Sequence, residues 1–363
     1  MPQTIRVASF NAENLFSRAR VLNLPDDAEI SAELEKIRQL DKLLRQSAYA
    51  PDDKQEIIRL YGQLLEFIEI RENRGRLFSN RQFNPQTTRV VADGAAEWDG
   101  EIEFKRADFS EVTRENTARV LREIKPNIVC MVEVENRTSL LAFNRALLGN
   151  RKLKFGISID GNDDRGIDVG MLTNFPVVNL KTHVYDGTAV SPTFSRDCLE
   201  VAMKLPDGRL IHLLCNHFKS KSGGDAATDP KRKKQAERVK EILSGYDLAN
   251  DLVIVAGDLN DFPHRPPLQP LLGLPHLHDV LALQFPNDPA ARWTHKFGNE
   301  VSQLDYVLIS EPLKEAFVKA NVERRGIFGL SRVTAGAMTE FPTVTSEANS
   351  ASDHGAVWAE LSV

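Results

Sequence analysis

Cysteine is scarce in this 363-residue chain, which contains only Cys130, Cys198 and Cys215. Each stands in an apolar stretch. An odd count without paired spacing argues against a disulfide framework, and no Cys/His cluster has zinc spacing. The three read as small buried hydrophobes in a reducing compartment. No stretch approaches the ~20 apolar residues needed to span a membrane. The opening MPQTIRVASFNAENLF lacks a charged segment followed by an apolar one, so no secretory signal is read there. Cytoplasm is the default location, although a secreted protein whose leader had been removed would look the same. Positive charge is not in excess either. The formal net charge is -5, so any nucleic-acid binding must use local patches or metal ions. No GxxxxGK phosphate loop occurs, and the glycines of DDRGIDVG do not make one. Internal repeats and low-complexity tracts are missing as well.

What is present is ordinary globular material. Hydrophobic residues make up 42% and charged residues 27%, enough for a sizeable core in one large α/β domain or two smaller ones. Ile5 to Phe10 alternate as a first strand. Between about Pro25 and Arg74, apolar residues recur at helical spacing (Ile30, Leu34, Ile37, Leu40, Leu44), with a break at Pro51-Asp52-Asp53. This predicts a charged helical hairpin. Arg89 to Arg106 reads as a β-hairpin with an uncertain turn. A helix follows over Thr113–Lys125, stopped by Pro126, and then the apolar strand IVCMVEV. Further strands are expected at 153–159, 167–173, 199–205 and 210–216. DPKRKKQAERVKEILSGY predicts a helix with a basic first turn. LVIVAGDLN, VSQLDYVLIS and HGAVWAELSV complete the strands. Many short strands with few helices suit two sheets packed face to face, with helices outside.

Metal-capable polar residues stand at the ends of these apolar strands, where loops present ligands from a rigid scaffold. They are Asn11 in SFNAEN, Glu133 (with Glu135) in IVCMVEVEN, His217 in LLCNHFKSK, Asp258 and Asn260 in VIVAGDLNDFP, and Asp353-His354 in SASDHGAV. Asp305 lies within QLDYVLIS. Taken singly, each has a plainer explanation: Asn11 a turn cap, Glu133 and Glu135 one solvated strand face, His217 a structural histidine, Asp353-His354 a surface turn. Asp305 resists this, because an unpaired buried carboxylate is costly. Together they supply the oxygen ligands that a hard cation such as Mg²⁺ takes, beside histidines that can move protons.

The ordered set FNAEN, IVCMVEVE, NHFKSK, GDLND, LDYVL and SDHGAV resembles the endonuclease/exonuclease/phosphatase superfamily, which includes pancreatic deoxyribonuclease, abasic-site repair nucleases, sphingomyelinases and inositol-phosphate phosphatases. The resemblance implies a four-layer α/β/β/α sandwich: two mixed sheets face to face, helices outside. Residues 1–363 then form a single domain, with residues 17–110 as an inserted helical hairpin and β-hairpin. It implies Asn11, Glu133 and Asp353 as metal ligands for Mg²⁺, with Mn²⁺ an alternative. It also implies Asp258 as the residue that activates water, Asn260 as a phosphate contact, His354 as the phosphate-binding or acid/base histidine with Asp305 as its partner, and His217 as a second active-site histidine. Val132 departs from the pattern, since many members carry Gln before the glutamate.

Nucleic acid is the expected substrate and partner, DNA or RNA, and no membrane or obligate protein partner is evident. Lys219 and Lys221 stand just after His217, and the KRKK run of residues 231–234 follows. A basic first turn opposes the helix dipole, which suggests a purpose beyond folding. Trp293 and Phe297 precede Asp305 and could stack on a base, although core packing explains them better. NHFKSK, GDLNDFP and DRGIDVGML resemble bacterial extracellular-type nucleases, which makes Arg165 a candidate phosphate clamp. The alternative is a phosphohydrolase or phosphodiesterase acting on lipid head groups or inositol phosphates. Inositol phosphatases usually carry arginine after the matched aspartate, and Tyr306 stands here instead. A third reading, an inactive binding scaffold, requires lost ligands, and each matched residue is kept.

Overall fold

The computed structural model describes residues 3–13, 19–24, 27–105, 111–163, 165–188 and 191–363. The chain forms two compact units: Met1–Phe16 with Phe109–Val363, and Ser17–Asp108.

The larger unit contains two six-stranded sheets. In the first, the order is Phe317–Glu323, Ala356–Ser362, Thr4–Asn11, Ile128–Val134, Asp168–Thr173, Phe155–Ser158. In the second it is Leu277–Asp279, Asp305–Ser310, Leu252–Asp258, Leu210–His217, Cys198–Lys204, Val177–Lys181. Each sheet has one parallel pair at its centre: Thr4–Asn11 beside Ile128–Val134, and Leu210–His217 beside Leu252–Asp258. All their other neighbours run antiparallel.

The central strands are apolar on both faces because both faces are covered. Alternate residues meet between the sheets: Val7, Cys130 and Val132 from one, Leu213, Cys215, Ile254, Ala256 and Val307 from the other. The Cys130 thiol donates to the Ala256 carbonyl across this layer at 3.6 Å. The three cysteines are free and buried. The residues between point outward. Ala8, Phe10, Val129 and Met131 pack under Ala118, Leu121 and Ile124 of helix Glu111–Ile124 and Leu140 and Phe143 of helix Arg137–Leu147. Val253, Val255, Tyr306 and Leu308 pack under Ala236, Val239 and Leu243 of helix Asp225–Leu243. The result is the four-layer arrangement that the resemblance implied. Each fully buried aliphatic side chain contributes roughly 1.5–3 kcal/mol.

The smaller unit holds the expected helical hairpin, Asp27–Leu44 and Pro51–Leu64, around Leu40, Ile57, Leu60 and Leu64. The expected β-hairpin within Arg89–Arg106 is corrected. Strand Asp99–Phe104 pairs with Ile68–Arg74, well upstream, and Val90 makes only a bridge to Phe78. Trp98, just ahead of the strand, is buried and donates its indole N–H to Tyr49, so packing decides the pairing rather than a local turn. Among the described residues no helix is long and apolar enough to cross a membrane.

Candidate active site

Both parallel pairs end at the same pole of the larger unit. Asn11 closes its strand and Glu133 is the penultimate residue of the neighbouring one. His217 and Asp258 close the parallel pair of the other sheet and stand opposite each other in register. Antiparallel neighbours contribute where they begin. Asp305, read from the sequence as lying within a strand, is its first residue and pairs with Asp258. His354 lies two residues before Ala356–Ser362. The backbone is specialised here. Gly257 has φ 144, and a Cβ there would lie 1.8 Å from the Asn216 carbonyl, so the glycine of GDLND is required by the parallel pairing. Glu133 (φ 62) and Asn260 (φ 54) are left-handed without being glycine, a strain that concentrates at functional sites. The bulge at Glu133 breaks strict alternation, so the expectation that Glu133 and Glu135 share one face loses its basis; Glu135 accepts from the Ser139 hydroxyl.

Asp258 is the hub. Its Oδ2 accepts from Asn11 Nδ2 at 3.1 Å and from Asn260 Nδ2 at 3.0 Å, and its Oδ1 accepts from the Asn260 backbone N–H at 2.8 Å. Burial, reinforced by Asp305, pushes its carboxyl up to about 7 against the pull of His354 and these donors. The second amide hydrogen of Asn260 goes to the Phe218 carbonyl at 3.1 Å. Both hydrogens are therefore engaged, and Asn260 orients Asp258 here rather than presenting an amide to phosphate. His217 Nε2 lies 3.8 Å from Asp258 and 4.0 Å from Glu133. Burial, then Arg196 and Arg165, hold His217 well below the usual imidazole range, so these are contacts of a neutral ring, not ion pairs. Its Nδ1 is buried with no partner among the described residues.

His354 Nδ1 sits 2.7 Å from Asp305 Oδ2, which also accepts from Thr294 Oγ1 at 2.7 Å. Asp305 Oδ1 is buried without a partner among the described residues. Burial disfavours a charged His354, but Asp305, Asp353 and Asp258 outweigh it and raise the ring well above its ordinary range.

Two residues beside this centre escape sequence reading. Glu13 follows Asn11 by two positions; its backbone N–H caps onto Asn11 Oδ1 at 3.1 Å, and its carboxylate accepts from the Asp353 N–H at 2.8 Å. Glu13 is exposed at the rim of the site, yet crowding by the surrounding protein, then Asp353 and Glu133, push its carboxyl up. His295 approaches Asp353 Oδ2 at 3.4 Å and its ring lies 4.6 Å from that of His354. Asn11 supplies an amide oxygen next to Glu13, Glu133 and Asp353, whose carboxylates repel one another. That donor set fits a hard divalent cation, which would relieve the repulsion. Among the described residues, His295, Asp353 and His354, and Asp258, Asp305 and His354, also bring ligand atoms within 4.8 Å of one another.

A cationic flank adjoins His217. Arg196, which the sequence reading missed because TFSRD resembles an ordinary loop, is fully buried. It donates to Asp163 at 3.0 Å and to the Phe218 carbonyl at 2.9 Å. Arg165 grips the same Asp163 through two bonds of 3.0 Å. Burial and the Arg196 charge lower both Lys219 and Lys231, which are half-buried. Lys221 departs from the expected phosphate-binding set: it pairs with Asp225 at 2.7 Å and Asp261 at 3.1 Å and caps the Phe262 ring. The basic run also reads differently. The helix begins at Asp225, so its first turn is acidic and the dipole argument fails. Arg232 within the run is fully buried against Asp261, while Lys233 and Lys234 face solvent. Trp293 is buried under Arg324. Phe297, in the ribbon that carries His295, is 77% exposed.

The sequence profile of the Endonuclease/Exonuclease/phosphatase family matches residues 86–310, more than half of the chain. No curated protein matches the sequence at a significant level. Among solved structures, a Bacteroides thetaiotaomicron protein of the endonuclease/exonuclease/phosphatase family superposes with TM-score 0.51 at 14% identity, covering 99% of this chain and 98% of that one, which is a likeness of fold. Truncated TDP2 from Caenorhabditis elegans gives TM-score 0.48 at 19% identity over 69% of this chain and 91% of that one.

Proposed function

The chain belongs to the endonuclease/exonuclease/phosphatase family, and we propose that it is a divalent-metal-dependent phosphodiesterase that hydrolyses nucleic-acid backbones. One observation carries this reading: Asn11, Glu133, His217, Asp258, Asp305 and His354 come from distant segments and meet at one pole of the paired sheets.

Asn11, Glu13, Glu133 and Asp353 would hold Mg²⁺ or Mn²⁺, which when bound neutralises charge on the phosphoryl group. Asp258, at about 7, is poised near neutrality to take a proton from the attacking water. Asn11 and Asn260 fix the direction of its lone pairs. His354, kept cationic by Asp305, donates to a phosphoryl or leaving oxygen. Neutral His217 adds one further donor without adding charge. Arg196, Arg165 and Lys219 supply the positive flank that a phosphate backbone takes. Tyr306 supports nucleic acid over inositol phosphates: it is buried and donates to the Asp261 carbonyl, so no cation occupies that position.

The test is a panel of DNA, RNA, abasic DNA, sphingomyelin and inositol phosphates assayed with Mg²⁺, Mn²⁺ or excess chelator. Metal-dependent cleavage of DNA or RNA is expected, with Asp258→Asn folded but nearly inactive. Full turnover in chelator, or turnover of the lipid or inositol substrates alone, would overturn the proposal.

A further inference from the structure

At the opposite end of the two sheets lies a concavity of about 620 Å³. Gln3 precedes the first strand and Pro126 and Asn127 precede the strand beginning at Ile128, while Phe175 and Leu205 lie just beyond the strands ending at Thr173 and Lys204. The catalytic residues stand at the other ends of these elements, one strand length away, roughly 20 Å.

Five cations line this concavity: Lys125, Arg151, Lys152, Lys154 and Lys204. Among the described residues, no aspartate or glutamate lines it. Among the described residues, none of the five side chains is engaged in an ion pair, whereas lysines and arginines elsewhere in this acidic chain are widely paired. Lys125 adds a local oddity. It follows the helix ending at Ile124 with φ 56, a conformation that glycine adopts freely and lysine does not. Five like charges gathered in one concavity repel one another, and an anion relieves that repulsion. The volume is that of a small-molecule site, too confined for a duplex. Asn127, Asn150 and Asn174 add side-chain amides, and the buried Phe175 and Leu205 form an apolar floor.

We infer that this concavity is a second ligand site, separate from the catalytic pole, for a compact polyphosphate anion. The recognised chemistry is two or more linked phosphates, whether borne by a nucleoside or present as inorganic polyphosphate. The site does not depend on which phosphodiester the catalytic pole cleaves.

Calorimetric titration of the full chain in chelator, at low salt, with tripolyphosphate, ATP, sulfate and a DNA duplex tests the assignment. One-to-one binding of tripolyphosphate and ATP is expected, weakening as salt is added. Binding should fall about tenfold or more in the Lys125→Ala/Lys154→Ala/Lys204→Ala variant, whose melting temperature should be unchanged because all three side chains are exposed. Tighter binding of ATP assigns a nucleoside-borne ligand; equal binding assigns the polyphosphate itself. The inference fails if neither ligand binds, if affinity survives the triple substitution, if sulfate binds as tightly as tripolyphosphate, or if the duplex binds more tightly and displaces both.

Discussion

Asp305 and His354, 49 residues apart, share a 2.7 Å contact between Oδ2 and Nδ1 at the centre of the site, and Thr294 fixes the same carboxylate oxygen from the other side. The carboxylate thereby sets both the charge and the orientation of the imidazole. Asp305→Asn keeps the shape and removes the charge, so kcat on DNA or RNA should fall ~10²–10⁴-fold with the fold intact by circular dichroism. Wild-type turnover would disconnect the pair from catalysis.

Phe297 is exposed in the ribbon whose first residue, His295, contacts Asp353. Stacking of a base on it predicts that Phe297→Ala raises KM for an oligonucleotide about 5- to 100-fold and leaves a base-free phosphodiester unaffected. Equal effects on both substrates would assign Phe297 to the fold.

Arg232 and Asp261 form a buried pair at 3.1 Å beneath the loop that carries Asn260. Arg232→Met strands the carboxylate and should cost about 3 kcal/mol in urea unfolding, even with Lys221 and Arg265 nearby. Lys233→Ala and Lys234→Ala, both solvent-facing, should shift stability by less than ~0.5 kcal/mol. A surface-sized loss for Arg232→Met would contradict the burial.

Asp168 is buried, accepts from the Gly161 N–H at 2.7 Å, and is pushed up to about 7 by burial, with Asp160, Asp163 and Asp197 adding to it. Unfolded, it would titrate near the ordinary ~4. The folded state therefore holds a proton that the unfolded state releases. This contribution to stability is complete below about pH 4 and is lost as pH rises to about 7. Asp168→Asn retains an acceptor and should match the wild type at low pH but exceed it by roughly 2–4 kcal/mol at pH 8. A pH-independent difference between the two unfolding curves would contradict the raised value.

Gly257→Ala places a Cβ 1.8 Å from the Asn216 carbonyl at a backbone position of φ 144. Separation of the parallel pair should cost about 3 kcal/mol or more and displace Asp258, lowering melting temperature and activity together. Gly208, also at positive φ but with open space around it, is the control; Gly208→Ala should lose far less.

The convergence of the site was legible where a polar residue stands in or at the end of an apolar strand, as Glu133, Asp258 and Asp305 do. Groups whose role depends on tertiary neighbours were not legible. Glu13 looks like one more surface acid until Asp353 and Glu133 face it. Arg196 stands in a polar loop, and only the fold buries it beside His217. The basic run misled for a related reason: adjacent residues on a helix point about 100° apart, so one stretch of sequence holds both a buried Arg232 and exposed lysines. The strand partner of Asp99–Phe104 was missed because local turn signals say nothing about a pairing across the intervening loop.

The reactive groups stand on the rims of two separate sheets, so the apolar layer between them works as a spacer. Asn11 and Glu133 ride on one sheet, His217 and Asp258 on the other, and the thickness of Cys130, Cys215, Ile254 and their neighbours sets the gap between them. On the proposed function, thinning or swelling that filling by a single methylene would shift one wall of the site against the other. Turnover can then decline through residues that never meet the substrate.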